Sequence, residues 1–369
     1  MTRREEFILK EKRLIELMEA RNLRGILIKK QANFTWLTGG GLNLVGIATE
    51  MGMTSLLVTK EGCYLLANKI EAARMMEEED LEGLGFELLE YEWYVDREAE
   101  LIHKVAGDLS QIGSDVNFGQ CRNVDGEIKK LRYCLTDNEI ERYLFLGEKL
   151  SESLEKVMLG IRPGDKECEI AGKIGAELWK YRIDPTGFMV AADDRIYSYR
   201  HPIPTERMIK RQVMVSVNAR YKGLITTVTR MLHFGKPEAK LMQQFQDNLE
   251  IDCRMTEATR PGAPAKVPFE VGLETYRKLG YQDEWKLHHQ GGAMGYYARD
   301  IKVTSETEDL IIENQAYCWN PSISGTKTED GFIATVNGQI FITKPVIYPK
   351  VEFKVNGVTM IKPGLLIID

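Results

Sequence analysis

The stretch HHQGGAMGYYARD at residues 288–300 places two histidines, a run of glycines and an arginine close to an acid. Histidine can bind a metal ion or transfer protons near neutral pH, although an inward histidine is more often a hydrogen-bonded core or cleft residue. Adjacent residues of a strand point to opposite faces, so we expect that His288 and His289 do not hold one ion together. The glycines lack the spacing of a phosphate loop and favour a tight turn or a close backbone approach. Arg299 and Asp300 alone are compatible with a solvated ion pair, which contributes little.

The elements that must position these residues begin with an α/β domain at residues 1–130. Apolar residues recur at helical spacing over 5–22, and this helix leads into the strand GILIKK. The strands SLLVT and CYLLA flank the tripeptide KEG, which predicts a hairpin. The alternation of strands with charged helical segments indicates an α/β arrangement.

The second predicted domain covers residues 131–369. Thr136 and Glu139 have the spacing of a capping box at the start of a long helix. Asn337-Gly338 separates two alternating strands, FIATV and QIFIT, and predicts a type I′ hairpin turn. The predicted fold class is therefore α/β (α+β), with a small α/β domain followed by a domain whose antiparallel sheet is flanked by helices.

Composition narrows the class of protein. The chain has 369 residues with 43% hydrophobic and 28% charged residues, as in ordinary soluble globular proteins. The net charge of −6 argues against a nucleic-acid partner, because such proteins usually carry a basic excess. Six cysteines without paired spacing indicate reduced thiols, and no signal peptide or membrane-spanning run is evident. We expect a cytoplasmic protein with no membrane partner.

Four further segments extend the pattern of the first stretch: SYRHPIPTER, VSVNARYKGLITTVTR, YCWNPSISG and TKTEDGFIATV. Their order and spacing, together with HHQGGAMGYYARD, resemble the pita-bread family of methionine aminopeptidases, prolidases, Xaa-Pro aminopeptidases and creatinase. The resemblance covers the whole chain. It implies a creatinase-type N-terminal domain, a pita-bread catalytic domain with a curved antiparallel sheet, and a homodimer.

The resemblance also identifies positions at which the family's peptidases hold two metal ions with two aspartates, one histidine and two glutamates. In this chain those positions are occupied by Asn218, Thr227, Gly292, Asn320 and Glu329. Two divalent cations about 3.5 Å apart repel by roughly 19 kcal/mol at an effective dielectric of about 20. One carboxylate cannot offset that repulsion, and neutral amides and hydroxyls are poor ligands for such ions. We therefore predict no metal ligands, no dinuclear centre and no cofactor.

Creatinase is the family's precedent for hydrolysis without a metal, using a histidine as base and acid. The segment RHPIPTER resembles the creatinase segment around that histidine, which puts His201 in its place and Thr205 and Arg207 at matching offsets. The segment YYARD resembles a creatinase stretch whose arginine binds the substrate carboxylate, which points to Arg299. A guanidinium can hold a carboxylate through two parallel hydrogen bonds. A structural histidine and a plain salt-bridge arginine remain the alternatives.

The chain departs from creatinase where that enzyme holds a guanidinium group with two glutamates, since those positions are Thr229 and Asn320. Neutral side chains would not compensate a buried cation, so creatine is disfavoured. A neutral amide, lactam or cyclic amidine that carries a carboxylate fits better, with Glu329 orienting water or His201. The other side chains expected to line the substrate site are Asn218, Thr227, Thr229, Asn320, His288 and Tyr297.

Three functions follow from this pattern. The first is a metal-independent, creatinase-like hydrolase of a C–N bond in a small carboxylate-bearing molecule, with His201 as base and acid and Arg299 on the carboxylate. The second is a catalytically inactive relative that binds a small ligand or a protein, because fold does not dictate function. The third is a metal-dependent Xaa-Pro peptidase, which the missing ligands disfavour.

Overall fold

The computed structural model describes all 369 residues, which divide into two compact units, Met1–Glu139 and Ile140–Asp369. The division lies in the first turn of the helix Asp137–Gly160, nine residues after the end of the predicted first domain at residue 130. Thr136 and Glu139 form the predicted capping box: each backbone N–H donates to the other residue's side-chain oxygen, at 2.7 and 3.3 Å. No helix combines the length and the apolar character needed to cross a bilayer.

The first unit is a six-stranded mixed sheet with five helices. Its helices are α1 (Arg3–Arg21), α2 (Gln31–Leu37), α3 (Ala72–Glu77), α4 (Glu98–Ala106) and α5 (Asp125–Leu131). Its strands are β1 (Gly25–Lys30), β2 (Met51–Thr59), β3 (Cys63–Asn68), β4 (Phe86–Tyr91), β5 (Ile112–Ser114) and β6 (Arg122–Asn123), in the order β4-β3-β2-β1-β5-β6. Strands β2 and β3 pair antiparallel across KEG, which confirms the predicted hairpin.

The second unit is built on an eight-stranded sheet. Its helices are α6 (Asp137–Gly160), α7 (Glu167–Trp179), α8 (Arg195–Ser198), α9 (Ala239–Ala258) and α10 (Lys266–Lys278). The strands of the sheet are β7 (Asp184–Ala192), β8 (Gln212–Tyr221), β9 (Leu224–Phe234), β10 (Gly291–Ala293), β11 (Gln315–Trp319), β14 (Asp330–Thr335), β15 (Gly338–Phe341) and β18 (Leu366–Ile368). Two small ribbons complete the unit, β12 (Ser322–Ile323) with β13 (Thr326–Lys327), and β16 (Lys350–Val355) with β17 (Val358–Pro363).

The central path of this sheet runs β10-β11-β14-β9-β8-β7, and each neighbouring pair is antiparallel. Only the added strand β18 pairs parallel to β9. Helices α9 and α10 pack their apolar residues against β11 and β14, where Tyr317, Trp319 and Phe332 are fully buried. Burial of each such side chain contributes about 1.5–3 kcal/mol, so this layer holds the strands that carry the site in a fixed register. The predicted fold class is confirmed.

The hairpin of β14 and β15 forms where the sequence predicts one, but its turn differs. Thr335 pairs with Gly338, so the two turn residues are Val336 and Asn337 rather than Asn337 and Gly338. Only Gly338 has a left-handed φ, +118°. The type I′ prediction is therefore wrong, because it needs positive φ at both turn residues, a conformation that the β-branched Val336 disfavours.

Candidate active site

The middle of the second sheet brings the predicted polar residues of β8 and β9 onto one face. Asn218 lies directly opposite Thr227, and Ser216 lies opposite Thr229. Residues two apart on a strand share a face, so these four side chains form one polar strip. The Thr227 hydroxyl lies 3.0 Å from the Cys318 thiol, and the Ser216 and Thr229 hydroxyls are 2.6 Å apart. The hydroxyls of both threonines are thus occupied within the protein.

Glu329, just before β14, is the buried anion at the centre of the site. One carboxylate oxygen accepts a hydrogen bond from Arg299 at 3.0 Å, and the other contacts the Lys327 ammonium at 2.9 Å and the Thr229 hydroxyl at 2.8 Å. Burial alone would raise the pKa of Glu329, but the charges of Lys327 and Arg299 outweigh it and hold the pKa at about 2. The three charged groups carry one net positive charge.

The sequence allows Arg299 and its neighbour Asp300 to form a solvated ion pair. In the structure Arg299 is not solvated. Its guanidinium is buried, donates from Nη2 to Glu329 and from Nη1 to the Ala298 carbonyl at 2.6 Å, and leaves Nε without a hydrogen-bond partner. Asp300 is also buried. An unsatisfied buried N–H is costly, so the unpaired Nε of Arg299 needs an explanation.

The five positions that resemble the peptidases' metal ligands do not fit a pair of divalent ions. Both oxygens of Glu329 are engaged by cations, and the Thr227 hydroxyl is occupied by Cys318. Gly292 has a φ of +144°, and a Cβ there would lie 2.1 Å from the Ile301 carbonyl oxygen, so no histidine can replace it in this backbone. Asn320 is buried and its Oδ1 has no hydrogen-bond partner. These residues provide one carboxylate, and it is already neutralised.

Three histidines of the site lie close to one another: His201, His288 and His289. We call them the histidine cluster. The Nε2 atoms of His201 and His288 are 2.8 Å apart, and the rings of His288 and His289 stack with centroids 4.3 Å apart. The expectation that His288 and His289 point to opposite faces is wrong. They precede β10, and His288 follows the short 3-10 helix Glu284–Leu287, so strand alternation does not apply.

The histidine cluster is neutral at neutral pH. Burial, followed by the charge of Lys327, lowers the pKa of His288 to about 2. Burial and the charge of Arg299 lower the pKa of His289 to about 4. The pKa of His201, whose side chain is the most exposed of the three, is lowered by the same causes, burial first and then Lys327. The charge of Arg299 also contributes to lowering the pKa of His201.

The remaining residues singled out from the sequence, Tyr297, Thr205 and Arg207, make other contacts within the protein. Tyr297 is partly exposed in a turn, where its carbonyl accepts a hydrogen bond from Gly295. Thr205 donates its hydroxyl proton to Glu167 at 2.7 Å, and Arg207 pairs with Asp194. The residues at the creatinase offsets from His201 are thus used by internal contacts.

Three residues of the site escaped the sequence reasoning: Lys327, Ser216 and His289. Lys327 is two residues from Glu329, and the Thr-Lys-Thr-Glu-Asp run gives no local sign that its ammonium turns inward. Ser216 lies two residues before Asn218, so strand alternation could have placed it on the same face. Strand alternation excludes His289 from the predicted site, but the chain is irregular at this residue.

Comparisons with known proteins agree with this fold. The model of "Metallopeptidase family M24" matches residues 145–357, and that of the "Creatinase/Prolidase N-terminal domain" matches residues 11–141. An Xaa-Pro dipeptidase of Pyrococcus horikoshii is 24% identical over 360 residues, covering 91% of this chain and 97% of the relative. The resemblance to the creatinase and prolidase family is confirmed.

Solved structures share the fold over nearly the whole chain. The Xaa-Pro dipeptidase of Bacillus anthracis superposes with a TM-score of 0.78 at 19% identity, covering 98% of this chain and all of that one. The N-terminal domain of the FACT complex subunit SPT16 from chickpea superposes with a TM-score of 0.71 at 12% identity, covering 93% and 97%. The predicted pita-bread domain is confirmed.

The comparisons give less detail about the activity than about the fold. Relatives named for an activity include Xaa-Pro dipeptidases, which favours the peptidase alternative over a creatinase-like activity and supports a hydrolase. Because the family model covers more than half of the chain and the N-terminal domain model covers most of the rest, this protein belongs to the metallopeptidase family M24 and carries a creatinase/prolidase N-terminal domain.

Proposed function

We propose that this protein is a hydrolase that cleaves the C–N bond of a small amide bearing a carboxylate, with Xaa-Pro dipeptides as the first substrate class to test. The observation that carries the proposal is the buried cluster of Lys327, Glu329 and Arg299, which holds one more positive than negative charge. A dipeptide is itself a carboxylate-bearing amide, so the relatives' activity and this charge excess point to the same class of substrate.

The first step is recognition of the carboxylate. The unpartnered Nε of Arg299 is a buried donor, and the excess cation is not screened by bulk water. Two opposite charges about 4 Å apart attract by about 4 kcal/mol at an effective dielectric of about 20. Asn320 and Asn218 are the proposed hydrogen-bonding partners of the amide, because the hydroxyls of Thr227 and Thr229 are already engaged.

The second step is proton transfer. His201 is neutral and exposed, so in the proposal it accepts a proton from water while the water oxygen attacks the amide carbonyl, and it returns that proton to the leaving nitrogen. His288, with its Nε2 at 2.8 Å, fixes the orientation of the His201 ring. Glu329 has a positioning role for Arg299 and Lys327, because both of its oxygens are occupied and it stays ionised.

The test is a screen of Xaa-Pro dipeptides, other dipeptides and N-acyl amino acids with detection of the released amine. We expect turnover of at least one such substrate and little turnover of its carboxamide, which lacks the negative charge. His201→Ala should reduce kcat by about 10²–10⁴-fold, the usual contribution of acid–base catalysis. Equal turnover of the acid and the carboxamide, or full activity of the variant, would contradict the proposal.

A second candidate is a non-enzymatic binding protein. It is favoured by the loss of the peptidases' ligand residues and by the occurrence of the fold in SPT16, which is named for its complex rather than for a peptidase activity. This candidate predicts that small carboxylates raise the melting temperature without any product. Detection of a released amine in the same samples would exclude it. The homodimer implied by the resemblance stays a prediction that sedimentation analysis can test.

A further inference from the structure

The histidine cluster gathers three of the five histidines of the chain at one place. One nitrogen of each ring lies within 4.8 Å of the other two. None of the three residues is at a position that corresponds to a metal ligand of the family's peptidases. Three imidazole nitrogens with a free side toward solvent form the ligand set of many catalytic zinc sites.

The three ligand nitrogens lie within 4.8 Å of one another, so binding of one ion requires the rings to shift. Zinc–nitrogen bonds of about 2.0–2.1 Å in a tetrahedral site place two ligand nitrogens about 3.3 Å apart. The His201 and His288 nitrogens, now 2.8 Å apart, have to separate by about half an ångström. His201 is exposed and can make that movement, whereas His288 is only 9% exposed and is held by its surroundings.

Unsatisfied polar atoms provide a second, independent indication. The Nδ1 atoms of His288 and His289 are buried and have no hydrogen-bond partner. Buried polar groups without partners are uncommon in folded proteins, so each such group needs an explanation. An ion bound through Nδ1 of His289 gives a partner to a nitrogen that now has none, whereas His288, which binds through Nε2, keeps its Nδ1 unpaired.

We propose that His201, His288 and His289 together bind one transition-metal ion of the zinc type, at a site separate from the five positions of the family's dinuclear centre. Imidazole nitrogen is a preferred donor for such ions, whereas Mg²⁺ and Ca²⁺ prefer oxygen ligands. The site therefore selects Zn²⁺ over Mg²⁺.

The neighbouring charges weaken this site without removing it. Arg299 and Lys327 exceed Glu329 by one positive charge, which opposes a divalent cation and favours an anion as the fourth ligand. Removing the ammonium group by Lys327→Met should thus tighten Zn²⁺ binding several-fold. This is the reverse of the effect expected for a residue that merely maintains the fold.

The consequence for activity rests on the proposed function. An ion on Nε2 of His201 leaves the single proton of the neutral ring on Nδ1, so neither nitrogen can accept a proton from water, and the ion and the proton-transfer step exclude each other. Zn²⁺ is therefore an inhibitor of the hydrolysis. His289→Ala removes one ligand of the ion, so the activity that this variant has without Zn²⁺ should not change when Zn²⁺ is added.

The binding test is calorimetric titration of ZnCl₂ into the chelator-treated full-length protein, without substrate. We expect one ion per chain and an X-ray absorption spectrum with three imidazole ligands. Loss of outer-shell partners costs about 10–100-fold in affinity, so loss of a ligand in His289→Ala should cost at least about 100-fold. His103→Ala, an exposed histidine on α4, is the matched control and should bind Zn²⁺ like the parent protein.

The outcomes separate the two proposals. Absence of saturable binding, or unchanged affinity in a His289→Ala protein with a normal circular dichroism spectrum, overturns the ion site. Binding of one ion with no hydrolysis of any substrate leaves the site intact and contradicts the proposed function. Hydrolysis that Zn²⁺ activates, or does not affect while it binds, overturns the inhibitory role.

Discussion

Glu329 and Asp330 are adjacent in the chain, but each belongs to a different buried charge cluster. The two clusters have net charges of opposite sign. Glu329 is surrounded by two cations, Arg299 and Lys327. Asp330 accepts from Arg230 at 3.1 Å, and Arg230 also pairs with Glu155 at 2.9 Å, so that two acids share one cation. One cluster has an excess positive charge and the other an excess negative charge.

The difference lies in what compensates each excess. The second carboxylate oxygen of Glu155 accepts hydrogen bonds from the backbone N–H groups of residues 346–348, at 2.8–3.1 Å. Backbone donors stabilise the negative excess within the fold. The positive excess at Glu329 meets only neutral acceptors, the Ala298 carbonyl at 2.6 Å from Arg299 Nη1 and the Ser216 hydroxyl at 3.2 Å from the Lys327 ammonium, and Arg299 Nε has no partner. Unpartnered buried atoms occur in both clusters, Arg299 Nε in one and Arg230 Nη2 and Asp330 Oδ2 in the other. The two clusters therefore differ in the three backbone donors that compensate the negative excess and not in the presence of an unpartnered atom.

The largest effect is expected on stability from Arg230→Met, which leaves Glu155 and Asp330 buried without their cation. Removing one partner of a buried pair costs about 3–5 kcal/mol of the free energy of unfolding. Urea denaturation measures this change. Arg277→Met, which removes an exposed ion pair with Glu274, is the control and should leave the stability close to that of the parent protein. Equal effects of the two variants would remove the basis for treating the Asp330 cluster as structural.

A smaller effect, on activity, is expected from Arg299→Met. Loss of a hydrogen bond to a charged group costs about 1.5–3 kcal/mol, so kcat/KM for a carboxylate substrate should fall by about 10–100-fold. Comparison of the acid with its carboxamide sharpens the test, because only the parent protein should discriminate between them. Discrimination that persists in the variant would show that the excess charge at Glu329 does not bind the ligand.

An effect of similar kind but lesser size is expected from Lys327→Met, which retains the pair of Glu329 and Arg299. The net charge of the cluster changes from +1 to zero, so the KM for the carboxylate should rise by less than in Arg299→Met, while kcat changes little. Steady-state kinetics of both variants at two salt concentrations measure this order. A larger loss in Lys327→Met would assign the carboxylate to Lys327.

The smallest effect on activity is expected from Thr343→Val in the Asp330 cluster. The Thr343 hydroxyl donates to Asp330 at 2.8 Å and accepts from the Gly331 N–H at 2.9 Å. Each such hydrogen bond contributes about 0.5–1.5 kcal/mol, so the variant should lose about 1–3 kcal/mol of unfolding free energy and keep its kcat/KM. An activity loss without a stability loss would show that the two clusters are not functionally separate.

Local elements were predictable from the sequence where neighbouring residues decide the structure. The capping box of Thr136 and Glu139 and the hairpin at KEG involve residues at most a few positions apart. The sequence predicted a hairpin before Gly338 but not the type of its turn. A shift of one residue in the strand pairing moves the turn onto Val336. Such a shift depends on the pairing of the whole strand with its neighbours.

The candidate site was predictable as a set of residue types and not as a set of contacts. His201, Glu329 and Arg299 do belong to one cluster, but the second cation, Lys327, and the stacking of His288 on His289 were missed. The stacking depends on the irregular segment before β10, and Lys327 lies in the two-residue strand β13, which is too short to show a periodic pattern. Periodicity arguments hold within regular elements and have no force in such segments.

The sequence by itself determined which chemical groups are available: a glycine and three neutral side chains where the peptidases have ligands, and one retained carboxylate. It also determined the order of segments by which the family is identified. Only the tertiary structure decided what that carboxylate binds and that His201 meets His288 across 87 residues of chain. The physical reason is that side-chain identity is a local property, whereas the partner of a buried charge is set by strand register and packing between residues far apart in the chain.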